Sequence, residues 1–416
     1  MEFTSENAQK IFAIEKNKFE DYKKMNVHLD MSRGKPNSKQ IDVSNDFFNV
    51  FKSLPEKMTN FDYRNYGLLD GAPEAKELFA ALSGVSQDEI IVMGNSSLNV
   101  MYDTLQRAMQ FGENGCLPLQ KQGKIKWLCP VPGYDRHFSI TELFGIEMIN
   151  IPMREDGPDM DLVEKYVEDE SVKGIWCVPK YSNPQGVVYS DEVVKRFAQL
   201  KPKAKDFRIY WDNAYMVHFV LKDVPLLNLL EEAKKYGNAD MVYMFGSTSK
   251  MTFAGAGVAW ICASRENIAY IKKYLSFQTI GHDKLNQYAH ALFFGNVQGV
   301  YDHMKKHAEV LKPKFDIVLS ILKEEVSGLC SWIEPLGGYF VSVDLPDFTA
   351  KRTVELAKEA GVILTGAGAT FPYKKDPSDK NIRLAPSYPS LEELELAIRI
   401  FCCCVKIAWA EKFLKA

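Results

Sequence analysis

The sequence has no run of about 18 apolar residues, so no membrane-spanning helix is expected. It does not begin with a basic segment followed by an apolar one. The first residues, MEFTSENAQKIFAIEK, are charged and amphipathic, which leaves no secretory signal to read. A strong charge of either sign is missing too: the formal net charge is -3, whereas a nucleic-acid binder should be strongly basic. The eight cysteines form no CxxC pair and no disulfide-like spacing. Cys129, Cys177 and Cys262 lie in apolar runs. The triplet Cys402-Cys403-Cys404 reads as small packing residues on a C-terminal helix, with room for one at the surface. A reducing cytoplasm is the expected compartment. GxGxxG is also absent. GAGA at 366–369 comes too late to open a βαβ unit, which counts against a nucleotide-dependent oxidoreductase. The sequence shows no repeat and no low-complexity linker.

What is present is 416 residues, enough for about two or three domains. Apolar residues at helical spacing (Ile11, Phe12, Ile14, Phe19) predict a helix over 5–25. An extended-then-loop stretch with Arg33 and Gly34 follows, then helices at 44–53 and from Pro73 to Leu82. From Ile90 onward short apolar runs alternate with helical segments. Strands are expected at 90–93, 126–129, 147–152, 174–178, 208–211, 241–245 and 258–263. Helices are expected at 135–143, 160–169, 191–199 and 224–236. This is the α/β pattern of a mostly parallel sheet with helices on both faces. Residues 265–326 read as mostly helical. Strands at 338–343, 362–364 and 381–384 and a helix over 390–415 complete a smaller α+β domain. The expected division is therefore a large domain over 46–300 and a small one over 301–416, which the segment 1–45 joins. His303 and His307, four apart in HMKKH, read as a solvated helix face, and no metal site is expected.

Ligands of open α/β sheets bind at the carboxyl ends of the strands. Five successive strand ends here carry polar or aromatic groups. The first is Asn95-Ser96-Ser97 at a helix start, and the second is Tyr134. The third carries Asn183, and the fourth carries Asp212 and Tyr215. The fifth is Gly246-Ser247-Thr248-Ser249-Lys250. A lysine there can form a Schiff base with an aldehyde, while hydroxyls and free backbone N–H groups suit a phosphate. Together they suggest pyridoxal 5'-phosphate (PLP) held at Lys250. A carboxylate at a buried strand end, Asp212, needs a partner, and a protonated pyridine nitrogen is a suitable one. Asn183 and Tyr215 can donate to the phenolate oxygen. Tyr134 can stack on the ring, and Ser96, Ser97 and Ser247 can hold the phosphate. Each residue also has an ordinary reading: a surface lysine, an N-cap aspartate, an Asn-Pro turn, a core tyrosine. Their occurrence in order at strand ends is what carries the cofactor reading. Arg383, in the short apolar run NIRLA, suits a substrate carboxylate, and Gly34 would leave room for the substrate.

The motifs SRGKPN (32–37), RNYGLLDG (64–71), GNSSLNVMYD (94–103), VPGYDRHF (131–138), VPKYSNPQG (178–186), WDNAYMVH (211–218), STSK (247–250) and NIRLAPS (381–387) cover nearly the whole chain. On them the chain resembles the class I aminotransferases of PLP fold type I, and more narrowly the bacterial aspartate aminotransferases called type Ic. The resemblance implies a seven-stranded, mostly parallel sheet with 258–263 antiparallel. It also implies a homodimer with shared active sites, with Tyr66 reaching the phosphate of the neighbouring subunit. It makes Lys250 the Schiff-base lysine and proton carrier, Asp212 the pyridinium partner, Asn183 and Tyr215 the phenolate donors, and Arg383 the α-carboxylate ligand. The implied reaction is ping-pong transfer between L-aspartate and 2-oxoglutarate. Alanine or aromatic substrates, or a PLP-dependent lyase or synthase, are the alternatives. The sequence departs from the family at Val258, eight residues after the lysine, where the broader class has a phosphate-binding arginine. Lys284, Lys180 or helix-end N–H groups are the candidate replacements. Arg33, Arg64 and Lys35 are candidates for a side-chain carboxylate.

Overall fold

The computed structural model describes residues 5–58, 61–113 and 115–415. The apolar segments between Ile90 and Cys262 assemble into one sheet. Its strand order is Ile90–Val92, Ala259–Cys262, Val242–Ser247, Arg208–Asp212, Val172–Cys177, Lys126–Val131, Glu147–Arg154 and Gly157–Pro158. The five strands from Val242–Ser247 to Glu147–Arg154 pair in parallel. Ala259–Cys262 runs antiparallel to both neighbours. The sheet thus has eight strands rather than the expected seven. The extra one, Gly157–Pro158, is two residues long and antiparallel, too short to leave a period in the sequence. Arg208–Asp212 and Val242–Ser247 are buried throughout, because helices cover both faces of the sheet and leave no polar side.

The crossover helices begin where side chains cap them. Ser190 accepts from the Val193 N–H and starts Asp191–Gln199, which buries Val193, Val194, Phe197 and Ala198. The helix expected over 224–236 is only Leu229–Lys234. Pro225 restricts the chain before it, and the Asn228 side chain accepts from the Glu231 N–H, which fixes the start. The one expected over 160–169 stops at Tyr166.

The helical region after Arg265 consists of Arg265–Gln278, Lys284–Phe294 and Val297–Val326. The last of these crosses the division expected at residue 300. Val300 and Met304 belong to the core against one face of the large sheet, and Leu311 and Phe315 to a second core. That second core contains the antiparallel strands Val341–Asp344 and Asn381–Leu384 and the helices Ala350–Glu359 and Leu391–Phe413. The N-terminal segment is tied to it: Leu29–Asp30 pairs in parallel with Val362–Ile363, and helix Ser5–Lys24 buries Phe19 there. Cys402, Cys403 and Cys404 are all buried, so none is at the surface. Their helix packs against Ser5–Lys24, Val297–Val326 and Ala350–Glu359 and has no exposed side there. Among the described residues no helix is long and apolar enough to cross a membrane, and no cluster of His, Cys, Asp or Glu is placed to hold a metal.

His303 and His307 correct the expectation of a solvated face. Both are buried, while Lys305 and Lys306 between them take the exposed side. Their helix lies between the two cores, so positions four apart face the seam. His303 Nε2 is 2.8 Å from the Met251 carbonyl oxygen and 3.2 Å from Ser44 Oγ. His307 Nε2 lies 3.2 Å from the same ring nitrogen. Burial pushes His307 down to about 3 and His290 down to about 4. An unfolded histidine titrates near about 6.5, so between these values the unfolded chain binds protons that the native one refuses. Their neutral-state stability is therefore complete above the unfolded value and is lost as pH falls, by about 1.4 kcal/mol per pH unit for each histidine. Denaturant unfolding measured from about pH 6.5 to 4 should show this slope, and His307→Asn should reduce it by the share of one histidine. Equal slopes for the two proteins would contradict the assignment.

Candidate active site

The carboxyl ends of the parallel strands open into a cavity of about 210 Å³. Asp212, the last residue of its strand, lines the cavity and is buried. Its Oδ2 is 3.1 Å from His137 Nε2, while its Oδ1 is buried without a partner among the described residues. His137 is on helix Asp135–Leu143, three residues past Tyr134, and lies flat on Trp176 with centroids 4.5 Å apart. An unsatisfied buried acceptor costs about 1–3 kcal/mol, and more when charged. Asp212 Oδ1 therefore calls for a donor from the cavity. A protonated ring nitrogen supplies one, so the residues present fit the pyridine ring of PLP.

Lys250 lies opposite on the loop after Val242–Ser247. The loop is pinned from several directions. Thr248 Oγ1 accepts the Val258 N–H at 2.9 Å, and the Thr248 and Thr252 hydroxyls lie 3.1 and 2.9 Å from His290 Nε2. His290 Nδ1 is 2.8 Å from the Asn286 carbonyl oxygen. That assigns the ring hydrogen to Nδ1 and makes Nε2 the acceptor of the threonine hydroxyls. Tyr339 donates to the Lys250 carbonyl at 3.3 Å, and His303 holds the next one, that of Met251. Gly246 is required just before the loop, because a Cβ there would lie 2.3 Å from the Trp260 ring. The amine itself is left free. Nζ lies 4.9 Å from the centre of the Tyr215 ring, and no carboxylate among the described residues pairs with it. Burial lowers its pKa from the ordinary lysine range, and the Asp212 charge opposes that shift. A lowered pKa favours the neutral, nucleophilic amine. Burial also pushes the phenols of Tyr134 and Tyr215 upward, so both remain protonated and able to donate.

Hydroxyls also line the cavity. Ser96 caps helix Ser97–Phe111, and Ser97, Ser247 and Ser249 join it in the lining. Ser249 Oγ donates to the Asn95 carbonyl at 3.1 Å. Asn95 itself is exposed and borders a neighbouring cavity. Val258 has its side chain in the core and its N–H on Thr248, and it lies outside the lining. Neither lysine proposed in its place lines the cavity. Lys180 Nζ is held by Asp223 at 2.8 Å beside a separate cavity, and Lys284 Nζ lies 3.5 Å from the His282 carbonyl. Among the described residues Lys250 is the one cation in the lining, so a phosphate here would meet hydroxyls and a helix N-terminus.

Arg383, on a strand of the second core, is outside the cavity lining and meets it through Asn183. Its Nη1 donates to Asn183 Oδ1 at 3.2 Å and to Asp135 Oδ1 at 2.8 Å. Asn183 lines the cavity, and with its oxygen on Arg383 its amide N–H groups are its remaining donors. The Arg383 guanidinium carbon lies 4.8 Å from the centre of the Phe340 ring. Phe340 also fills the space beside Gly34, where a Cβ would lie 2.2 Å from the ring, so the room expected for substrate is taken. Arg33 is exposed, Arg64 is on Asp62 at 2.7 Å, and Lys35 is 3.9 Å from the Tyr388 ring centre. Tyr66 is 79% exposed, outside this cavity. His137, Asp135, Ser249 and Phe340 were not among the expected site residues. The spacing of Tyr134 and His137 was the available signal, since residues three apart share a helix face.

The family described as aspartate amino-transferase matches residues 3–416. A protein from Corynebacterium glutamicum named aspartate aminotransferase is 45% identical over 407 residues, 96% of this chain and 93% of the relative. A solved aspartate transaminase from the same organism superposes with a TM-score of 0.95 at 44% identity, covering 99% of this chain and 98% of that one. The fold alone is shared with LysN, the alpha-aminoadipate aminotransferase of Thermus thermophilus. That protein was solved with N-(5'-phosphopyridoxyl)-L-leucine, at a TM-score of 0.75 and 20% identity over 92% of this chain and 93% of that one. With the match running from residue 3 to residue 416, the chain belongs to the aspartate amino-transferase family and is an aminotransferase of PLP fold type I.

Proposed function

We propose that the protein moves an amino group between L-aspartate and 2-oxoglutarate, with PLP bound covalently at Lys250. The observation that carries the cofactor assignment is the buried, unpartnered Asp212 Oδ1 at the floor of the cavity that Lys250 enters. Bound there, PLP would draw electrons from the substrate Cα. The chain's residues do the rest. Asp212, held by His137, keeps a proton on the ring nitrogen. Tyr215 and the Asn183 amide donate to the phenolate oxygen, and Tyr134 covers the ring. Once the substrate amine replaces it on the cofactor, the freed Lys250 Nζ would take the Cα proton as general base and deliver it as general acid to the cofactor carbon it had occupied. Arg383 receives the substrate α-carboxylate. Aspartate itself is supported by the name of the relative that is 45% identical and by the subgroup motifs.

The site also fits a homodimer in which Tyr66 serves the neighbouring subunit. Tyr66, Phe277 and Ile280 are 79%, 87% and 62% exposed, and a Cβ at Gly281 would lie 2.2 Å from the Gly67 carbonyl oxygen, so the segments that carry Tyr66 and Ile280 are close together. All eight cysteines are free, which supports a cytoplasmic location.

Replacing Lys250 by alanine should lower turnover by about a thousandfold or more, because it removes the proton carrier. Steady-state rates with aspartate and 2-oxoglutarate measure this, and activity near that of the native protein would overturn the assignment. Turnover that does not depend on 2-oxoglutarate would favour a lyase or synthase instead. Capture of PLP by the cofactor-free protein needs the neutral amine, so its rate should rise with pH at a value below the ordinary lysine range. In Asp212→Asn the rise should shift lower still, because the carboxylate raises the lysine pKa. A rise at the ordinary lysine pH in the native protein would contradict the burial argument.

A further inference from the structure

The arginine proposed to receive the substrate carboxylate already holds a carboxylate of this chain. Asp135 Oδ1 lies 2.8 Å from Arg383 Nη1, a contact between residues far apart in sequence that no local turn imposes. The two partners differ in freedom. The Arg383 side chain is 8% exposed. It is held by Asn183 and by the Phe340 ring, which is in turn backed by Gly34. The Asp135 side chain is 36% exposed and starts a helix, where a carboxylate is favoured by the free N–H groups. If one partner moves, it is therefore Asp135. Arg383 Nε is also buried without a partner among the described residues, so the guanidinium keeps an unused donor in the presence of Asp135.

From this arrangement we infer that Asp135 is an internal competitor: it balances Arg383 before substrate arrives and lowers the affinity of the site for every incoming carboxylate. The inference rests on the reading of Arg383 as the carboxylate receiver. An entering carboxylate either displaces Asp135 from Nη1 or takes the remaining donors beside it. Both routes bring two like charges to one guanidinium in a partly buried site, where their repulsion is weakly screened. The site gains selectivity by this means. A ligand that makes further contacts overcomes the competition, whereas a bare carboxylate does not. Asp135 is in this sense a specificity-determining residue that acts through Arg383, and no chemical step is assigned to it.

Asp135→Asn keeps an acceptor for Nη1 and removes the charge. In the PLP-loaded protein, titrated with succinate as a probe that lacks an amine, this variant should bind about fivefold or more tightly than the native protein. Asp135→Ser should behave alike. KM for aspartate should fall in both while kcat stays within about threefold. Arg383→Ala is the companion measurement and should weaken succinate binding. Unchanged or weaker binding in Asp135→Asn and Asp135→Ser, together with weakened binding in Arg383→Ala, would overturn the inference alone. No loss of binding in Arg383→Ala would overturn the reading of Arg383 on which it rests. Loss of packing does not tighten a ligand, so a gain in affinity separates this role from a structural one.

Discussion

An acceptor without a donor organises this molecule: Asp212 Oδ1, buried at the end of a central strand. Its other oxygen is held by His137, and His137 is held by the face of Trp176. The carboxylate is fixed in place but left half satisfied. Such a group costs stability until a donor meets it, and a protonated ring nitrogen supplies both a donor and the opposite charge. The cavity, the lysine loop and the tyrosines are arranged around that point. Asp212 ends a strand in register with Phe245 of the adjacent parallel strand, so the sheet brings the two strand ends together, and the pinned loop after Ser247 then places Lys250. The arrangement therefore depends on strand register and on that loop together.

The second element of the design is the junction of two cores. Arg383 belongs to the antiparallel strands of the C-terminal core, yet its hydrogen-bond partners belong to the large-sheet half, Asn183 in a loop and Asp135 at the start of a helix. The lysine loop is likewise held from both sides, by Thr248 and His290 within the large-sheet half and by Tyr339 and His303 along the seam. Helix Val297–Val326 runs through both cores and carries His303 and His307 in between. Arg383 and the backbone of the lysine loop are therefore both held by contacts that cross between the two cores.

These two elements differ in how far the sequence revealed them. Strand ends were readable because the central strands are buried on both faces and appear as unbroken apolar runs. The rule that ligands bind at carboxyl ends then pointed to Asp212, Asn183, Tyr215 and Lys250, and all four line one cavity. The contacts at the seam were not readable. Helical periodicity shows that His303 and His307 share a face but not what lies opposite. In HMKKH the two lysines suggested water, yet they occupy the other side of the helix. Arg383 and Asp135 are far apart in sequence, and no spacing rule connects residues at that range. Gly34 was noticed as a close approach, but what approaches is the ring of Phe340. The strand Gly157–Pro158 and the start of Leu229–Lys234 depend on two-residue pairing and one capping side chain, below the length at which a pattern forms.

The central claim is that one lysine, facing one unpartnered carboxylate, holds the cofactor. The direct measurement is to load the protein with PLP, reduce it with borohydride, digest it and map the phosphopyridoxyl group by mass spectrometry. The account predicts a single labelled position, Lys250, and loss of that label when Lys250 is replaced. A label on Lys180, Lys284 or another lysine, or no label after incubation with PLP, would contradict it.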